Sequence, residues 1–155
     1  MKIEDHLEKA ERLGGLRSRL NPADDYELWY WASLSASMNL FNAALHHLGA
    51  TVAEDCFPHN LPVYIRPGDK PGNFEAVIRP FGDLEHVEDE EVESLIPPRL
   101  ALAAAALREL EAVREPGVRG DMEITPALTG GVDAAYLRVL GITRFILDGE
   151  AEAGP

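Results

Sequence analysis

This sequence is poor in the residues on which several large classes of protein depend. Of its 155 residues, one is cysteine and 14 are lysine or arginine, against 27 acids, for a formal charge of −13. A single cysteine cannot form an internal disulfide, and so few cations disfavour binding along nucleic acid phosphates. The composition therefore excludes a scaffold held by internal disulfides and disfavours general coating of DNA or RNA.

Segments that direct secretion, span a membrane or bind a nucleotide are also missing. The first residues, Met-Lys-Ile-Glu-Asp, lack the apolar stretch of a secretory signal. The most apolar segment, 29–45, carries serines and asparagines that favour a buried helix over a membrane span. No glycine-rich phosphate loop and no nucleophile elbow is present. We expect a cytoplasmic protein that needs neither a membrane nor a cofactor.

Apolar residues at helical spacing dominate what remains. A chain of this length with 46% hydrophobic residues can bury a core in one domain. We expect a helical-bundle domain over 1–148 and a flexible tail over 149–155. The periodicity, with Asn21-Pro22 and Thr125-Pro126 as start signals, predicts helices over 2–20, 22–48, 99–115 and 126–141. The predicted core contains Tyr30, Leu34, Phe41, Leu48, Leu107, Leu110 and Leu137.

Prolines interrupt the chain between the second and third predicted helices. Two β-prone runs, 63–66 and 74–79, flank a segment rich in proline and glycine, which predicts a β-hairpin in the 63–79 region. A lone hairpin is marginally stable in water, so we expect it to pack on the helices. The predicted fold class is mainly α, a helical bundle of four or more helices with a small β-hairpin.

The long second helix carries one narrow polar stripe. At 100° per residue, four polar side chains share one side of a helix that is otherwise apolar nearly all round. These are the predicted binding residues: Ser35, Asn39, Asn42 and His46. Buried amides need hydrogen-bond partners, so the stripe faces solvent, a seam between helices or subunits, or a cleft.

Aromatic residues cluster at the start of the same helix. Tyr26, Trp29, Tyr30 and Trp31 cover more than one face, so at least one tryptophan exceeds what a one-sided core needs. Tryptophan concentrates at contact hot spots, and we predict Trp29 and Trp31 as interface residues. With no complete catalytic set, we expect a non-enzymatic helical interaction module. Its partner would be itself, as a homodimer, or another protein in a complex.

The segment Phe41-Asn42-Ala43-Ala44-Leu45-His46 resembles the core motif of HEPN domains, an Arg, a polar residue, three variable residues and a His. The resemblance implies a helical fold and, in active members, metal-free RNA cleavage by Arg and His across a dimer. Other members only bind or dimerise. Asn42 and His46 match the polar and catalytic positions, so a degenerate HEPN-like domain that binds or cleaves RNA or a nucleotide is an alternative.

Phe41 stands where that family has its arginine and cannot stabilise a phosphate, which argues against cleavage. The net charge also disfavours an RNA or nucleotide partner. A cation beside His46 would have to come from elsewhere in the chain. The candidates are Arg17, Arg19, Arg119 and Arg138.

A second alternative is a metal-binding protein. Cys56 and His59 form a Cys-x-x-His pair that follows His46 and His47, and these ligand types suit zinc if the loop folds back. The spacing matches no recognised zinc pattern. Seven acids among the eleven residues 83–93 predict a solvated face, because the turn glycine and ligand spacing of an EF-hand are absent.

Overall fold

The computed structural model describes residues 1–53, 63–67, 70, 72–78, 82–87, 93–118, 120 and 122–149. The described part contains five α-helices, four of them with 12 residues or more, and one 3-10 turn at Pro98–Leu100. The helices are α1 (Ile3–Arg17), α2 (Tyr26–His47), α3 (Ala101–Ala112), α4 (Arg114–Val118) and α5 (Pro126–Gly149). The predicted mainly helical class is therefore confirmed.

Helix α2 lies at the centre of the bundle. It contacts α1, α3 and α5, and α3 also packs on α5. Because 17 of its 22 residues are buried, its polar side chains must find partners inside the protein. Within the described ranges, no helix combines the length and the apolar character that crossing a membrane requires.

Two short strands lie between α2 and α3. β1 (Val63–Pro67) and β2 (Phe74–Ile78) pair antiparallel, with Val63 opposite Ile78. Their described contacts are chiefly with each other and not with a helix. The predicted hairpin packed on the helices is therefore not supported.

The predicted start of α2 at Pro22 is wrong by four residues. The Asn21 side-chain oxygen accepts the backbone N–H of Ala23 at 3.0 Å. The Asn21 carbonyl accepts the N–H of Asp25 at 2.8 Å. Asn21 therefore caps a separate turn that precedes the helix.

Two predicted helix stops are also wrong. Pro116 lies inside the short helix α4, within the first turn, where a missing N–H leaves no hydrogen bond unmade. The predicted start of α5 at Pro126 is confirmed, and the Thr125 hydroxyl accepts the N–H of Leu128 at 3.2 Å. Gly141 is exposed and does not end α5, because burial of Thr143 and Ile146 carries the helix on to Gly149.

The predicted core is correct for five of its seven residues, which are buried: Tyr30, Leu34, Phe41, Leu107 and Leu110. Leu48 is partly buried. Leu137 is half exposed, because the buried face of α5 follows the spacing of Val132, Ala135, Tyr136, Val139, Thr143 and Ile146.

Gly117 in α4 is a site of close packing. A Cβ atom there would lie 2.8 Å from the Tyr26 hydroxyl oxygen and 3.2 Å from Cε1 of the same ring. The centroid of the Tyr26 ring lies 6.0 Å from that of Tyr30, on which the ring stacks, and 6.3 Å from that of Trp29. The Tyr26 ring therefore cannot move aside freely. We expect Gly117→Ala to lower the free energy of unfolding by about 1–3 kcal/mol in urea titrations.

Gly130→Ala is the matched control. Gly130 also lies in a helix, but nothing lies within 4 Å of its added Cβ, so we expect a gain of about 0.5–1 kcal/mol. If both variants gain stability alike, the packing described between α4 and Tyr26 is wrong.

Candidate functional site

Three side chains from separate parts of the chain meet beside the end of α2. Asp83 Oδ1 lies 2.8 Å from Nε2 of His46 on α2 and 3.1 Å from Nε2 of His6 on α1. The ring centroids of the two histidines are 5.4 Å apart. Side-chain exposure is 3% for His6, 1% for His46 and 12% for Asp83. We call these three residues the His–Asp–His cluster.

Asn42 fixes the position of the segment that carries Asp83. Its side-chain Nδ2 donates to the carbonyl oxygen of Leu84 at 2.9 Å, and its Oδ1 accepts the Leu84 N–H at 2.8 Å. The Leu84 side chain is buried against the helices. The Asn42 amide thus makes the two backbone hydrogen bonds that a neighbouring β-strand would make to Leu84. They hold the segment against α2 and fix the place of Asp83.

Asn39 determines which nitrogen of His6 carries a proton. Asn39 Nδ2 donates to the carbonyl oxygen of Ser35 at 2.7 Å, which leaves its Oδ1 to accept from His6 Nδ1 at 2.9 Å. With the proton on Nδ1, the Nε2 of a neutral His6 ring presents a lone pair to the Asp83 carboxylate. That contact is favourable only when Nε2 also holds a proton or a cation.

The second histidine has a similar support. The Thr51 hydroxyl lies 2.7 Å from His46 Nδ1 and can donate to it or accept from it. Thr51 and His46 are both buried. Each ring of the cluster is therefore held from its far side by a polar group.

Asp83 is ionised in this environment. Burial by itself would raise its pKa, but hydrogen bonds from His46, His6 and the Met1 ammonium hold the pKa of Asp83 well below its ordinary value. The Met1 ammonium lies 2.9 Å from Oδ1 and 2.8 Å from Oδ2. The carboxylate is thus the acceptor at which these donors converge.

A cleft of about 400 Å³ adjoins the cluster. Three of the four predicted binding residues line it, together with two members of the cluster: Ser35, Asn39, Asn42, His6 and Asp83. Its remaining wall is mixed, with apolar side chains such as Trp31, Leu34 and Met38 beside the charged Lys9 and Arg114. His46, the fourth predicted binding residue, reaches the cleft only through Asp83.

The two predicted interface tryptophans differ in their surroundings. Trp31 is partly exposed, whereas Trp29 is buried in the core. The Arg17 guanidinium lies 4.8 Å from the Trp29 ring centroid and 4.1 Å from that of Tyr136. The Trp29 ring is therefore covered by Arg17 and the core within this chain, and an interface role for Trp29 stays a prediction.

The arginines proposed as phosphate-binding groups beside His46 have other partners. Arg17 pairs with Asp133 and Ser33, Arg138 pairs with Glu109, and Arg19 donates to the carbonyl oxygen of Gly15. Arg119 lies outside the described residues, as do the metal candidates Cys56 and His59.

His6 and Asp83 were missed by the sequence interpretation. His6 shares the buried side of α1 with Ala10, four residues on, and that spacing was the available signal. Asp83 was assigned with its acidic neighbours to a solvated face, which is wrong for this residue because it is enclosed by the two histidines. The contacts of Asp83 with His6 and His46 join residues far apart in sequence, and periodicity detects only residues that share one helix or strand.

Replacing the Asp83 carboxylate should destabilise the fold. In Asp83→Asn the Met1 ammonium would lose its counter-charge and the two histidines their common acceptor, and breaking a buried charge pair costs about 3–5 kcal/mol. We expect a loss near the lower end of that range in urea unfolding, because Asp83 retains some contact with water. Glu85→Gln, an exposed neighbour, is the control and should change stability by less than about 0.5 kcal/mol.

The same carboxylate predicts how stability depends on pH. Its pKa is lower in the folded than in the unfolded chain, so its contribution is complete above the unfolded value of about 3.9 and is lost as the pH falls below it. Unfolding followed from pH 6 to pH 3 should show a steeper loss for the wild type than for Asp83→Asn. Parallel curves would contradict the assignment of Asp83 as the ionised acceptor.

No family model matches this chain, and no curated protein or solved structure matches it either. The resemblance to HEPN domains therefore rests on the sequence of α2 alone. What the protein does must be argued from the geometry of its described residues.

Proposed function

We propose that this protein is a helical interaction module, a subunit of a complex that binds a basic segment of a partner protein at the start of α2. The observation that carries the proposal is a pair of large apolar side chains left in solvent there. Leu28 is 51% and Trp31 38% exposed. They are three residues apart on one helix and therefore adjacent. We call this pair the α2 entry patch.

The surface around the patch is concave on two sides. A depression of about 330 Å³ is lined by 24–28 and Trp31, and Trp31 also lines the 400 Å³ cleft. A tryptophan between two depressions can be enclosed by partner side chains, and desolvated tryptophans are frequent hot spots of binding energy.

Acidic side chains surround the patch. Asp24, Asp25 and Glu27 are exposed and line the same depression. Such a rim, on a chain of charge −13, attracts a cationic segment and repels a second copy of the chain. Charge complementarity therefore favours a basic partner over the homodimer and over RNA.

The HEPN-like alternative has no comparable support. Asn42 uses its amide to hold Leu84, and the outward nitrogen of His46 faces a carboxylate that would repel a phosphate. Binding or cleavage of RNA through these two residues stays a prediction from the motif.

Peptide display tests the proposal while the partner itself is unidentified. Selection of random peptides on the intact chain should enrich sequences that combine Lys or Arg with aromatic or aliphatic residues. Trp31→Ala should weaken a selected peptide by about 30-fold, the equivalent of 2 kcal/mol at a hot spot. The control is Phe145→Ala, because Phe145 is 76% exposed on α5 and should not contribute.

Binding should also weaken as salt is raised, because the acidic rim is screened. Enrichment of acidic peptides, or equal affinity in Trp31→Ala, would show that the patch is not the binding site. A dimer at high micromolar concentration that Trp31→Ala dissociates would instead assign the patch to self-association.

A further inference from the structure

We propose that the His–Asp–His cluster is a binding site for a divalent first-row transition-metal ion, with Zn²⁺ as the probe that reveals it. His6 and His46 would supply Nε2 and Asp83 a carboxylate oxygen. These three ligand atoms lie within 4.8 Å of one another. Two imidazoles and a carboxylate are ligands that zinc and its neighbours in the first row favour. The proposal does not rest on the proposed α2 entry patch, although Trp31, His6 and Asp83 line the same cleft.

The spacing of the ligand atoms fits a coordination shell. Metal–ligand bonds of about 2.0–2.1 Å place neighbouring ligands about 2.9–3.4 Å apart, for angles between octahedral and tetrahedral. The separations from Asp83 Oδ1 are 2.8 Å to His46 Nε2 and 3.1 Å to His6 Nε2. Both separations are within about 0.1 Å of that range, and all three ligand atoms lie within 4.8 Å of one another.

The same separations also suit hydrogen bonds, so distances alone do not distinguish a metal site from a hydrogen-bonded cluster. The group that contacts Nδ1 of His6 bears on this distinction. Asn39 Oδ1 accepts the Nδ1 proton of His6, so the 3.1 Å contact of Nε2 with the Asp83 carboxylate needs either a second proton or a metal ion on Nε2. A metal ion would replace that proton and bond to both groups. A ring nitrogen that donates to a carbonyl oxygen while the other binds metal is the usual outer support of metal-binding histidines.

The burial of the three ligands and their charge both favour a bound divalent cation. As metal ligands the two imidazoles would be neutral, so the three ligands would carry the one negative charge of Asp83, beside the Met1 ammonium, in a place where His6 and His46 are almost fully enclosed. A divalent cation compensates that charge. The Met1 ammonium lies 2.9 Å from Asp83 Oδ1 and 2.8 Å from Oδ2, so a metal ion on Oδ1 would replace the first contact and leave the second.

The arrangement leaves part of the coordination shell to other ligands. Three protein ligands are one short of the four in a closed structural zinc site. His6 and Asp83 line the 400 Å³ cleft, so the open position faces that cleft and can be taken by water or a small ligand atom.

Calorimetry on chelator-treated protein tests the site directly. Titration with Zn²⁺ should give one ion per chain for the wild type. His6→Gln and His46→Gln should each weaken binding by about 100-fold or more, since even outer supports contribute about 10–100-fold. Asn39→Ala should weaken binding by about 10-fold with the stoichiometry unchanged.

The matched control is His47→Gln, because His47 adjoins His46 in sequence and points about 100° away on the helix. Its affinity for Zn²⁺ should equal that of the wild type. The double variant Cys56→Ser/His59→Gln should likewise bind as the wild type does. If this double variant loses the ion while His6→Gln and His46→Gln keep it, the proposal is wrong.

X-ray absorption on the zinc-loaded wild type makes the test independent of how the variants fold. The expected first shell contains two imidazole nitrogens, oxygen and no sulfur. A sulfur ligand would assign the ion to Cys56, and a shell of oxygen alone would assign it to the acidic surface. Either shell, or the absence of stoichiometric binding, would overturn the proposal.

Discussion

The attraction between one enclosed carboxylate and the histidines of two different helices organises this end of the molecule. Asp83 follows a long connection from α2, and it is held against α1 and α2 by His6 and His46. Asn42 secures the next residue through its backbone. Without a partner, that carboxylate would oppose burial of the 82–87 segment, which the side chains of Leu84 and Val87 favour.

The polar stripe of α2 shows how a central helix can carry both a core and a site. Its apolar faces pack on α1, α3 and α5, whereas its amides hold neighbouring groups in place. Asn39 orients a histidine and Asn42 orients a backbone segment. A metal ion bound by His46 at the end of α2 and a protein partner at its start would use parts of one helix that lie about 23–27 Å apart along its axis.

The helical architecture was largely predictable because it depends on local periodicity. Apolar spacing located the four long helices, and Thr125-Pro126 marked the start of α5 correctly. Local signals failed where two of them competed, as at Asn21, which caps a turn, and at Gly141, where burial on either side overrides the glycine.

The site was only half predictable, for a related reason. Asn39, Asn42 and His46 share one helix and are visible in its pattern. His6 and Asp83 come together with them only through contacts across 77 and 37 residues of sequence. An acid in a run of acids carries no local sign that it is the one turned inward.

Helix α1 is held at two points on the same face, by His6 near its start and by Arg17 at its end. Eleven residues separate them, which is close to three full turns, or about 16 Å along the axis. One inserted or deleted residue between these points would rotate one of them by about 100° relative to the other. The length of α1 is consequently fixed even where its outer surface is free to vary, and length changes in this protein should concentrate in its connections.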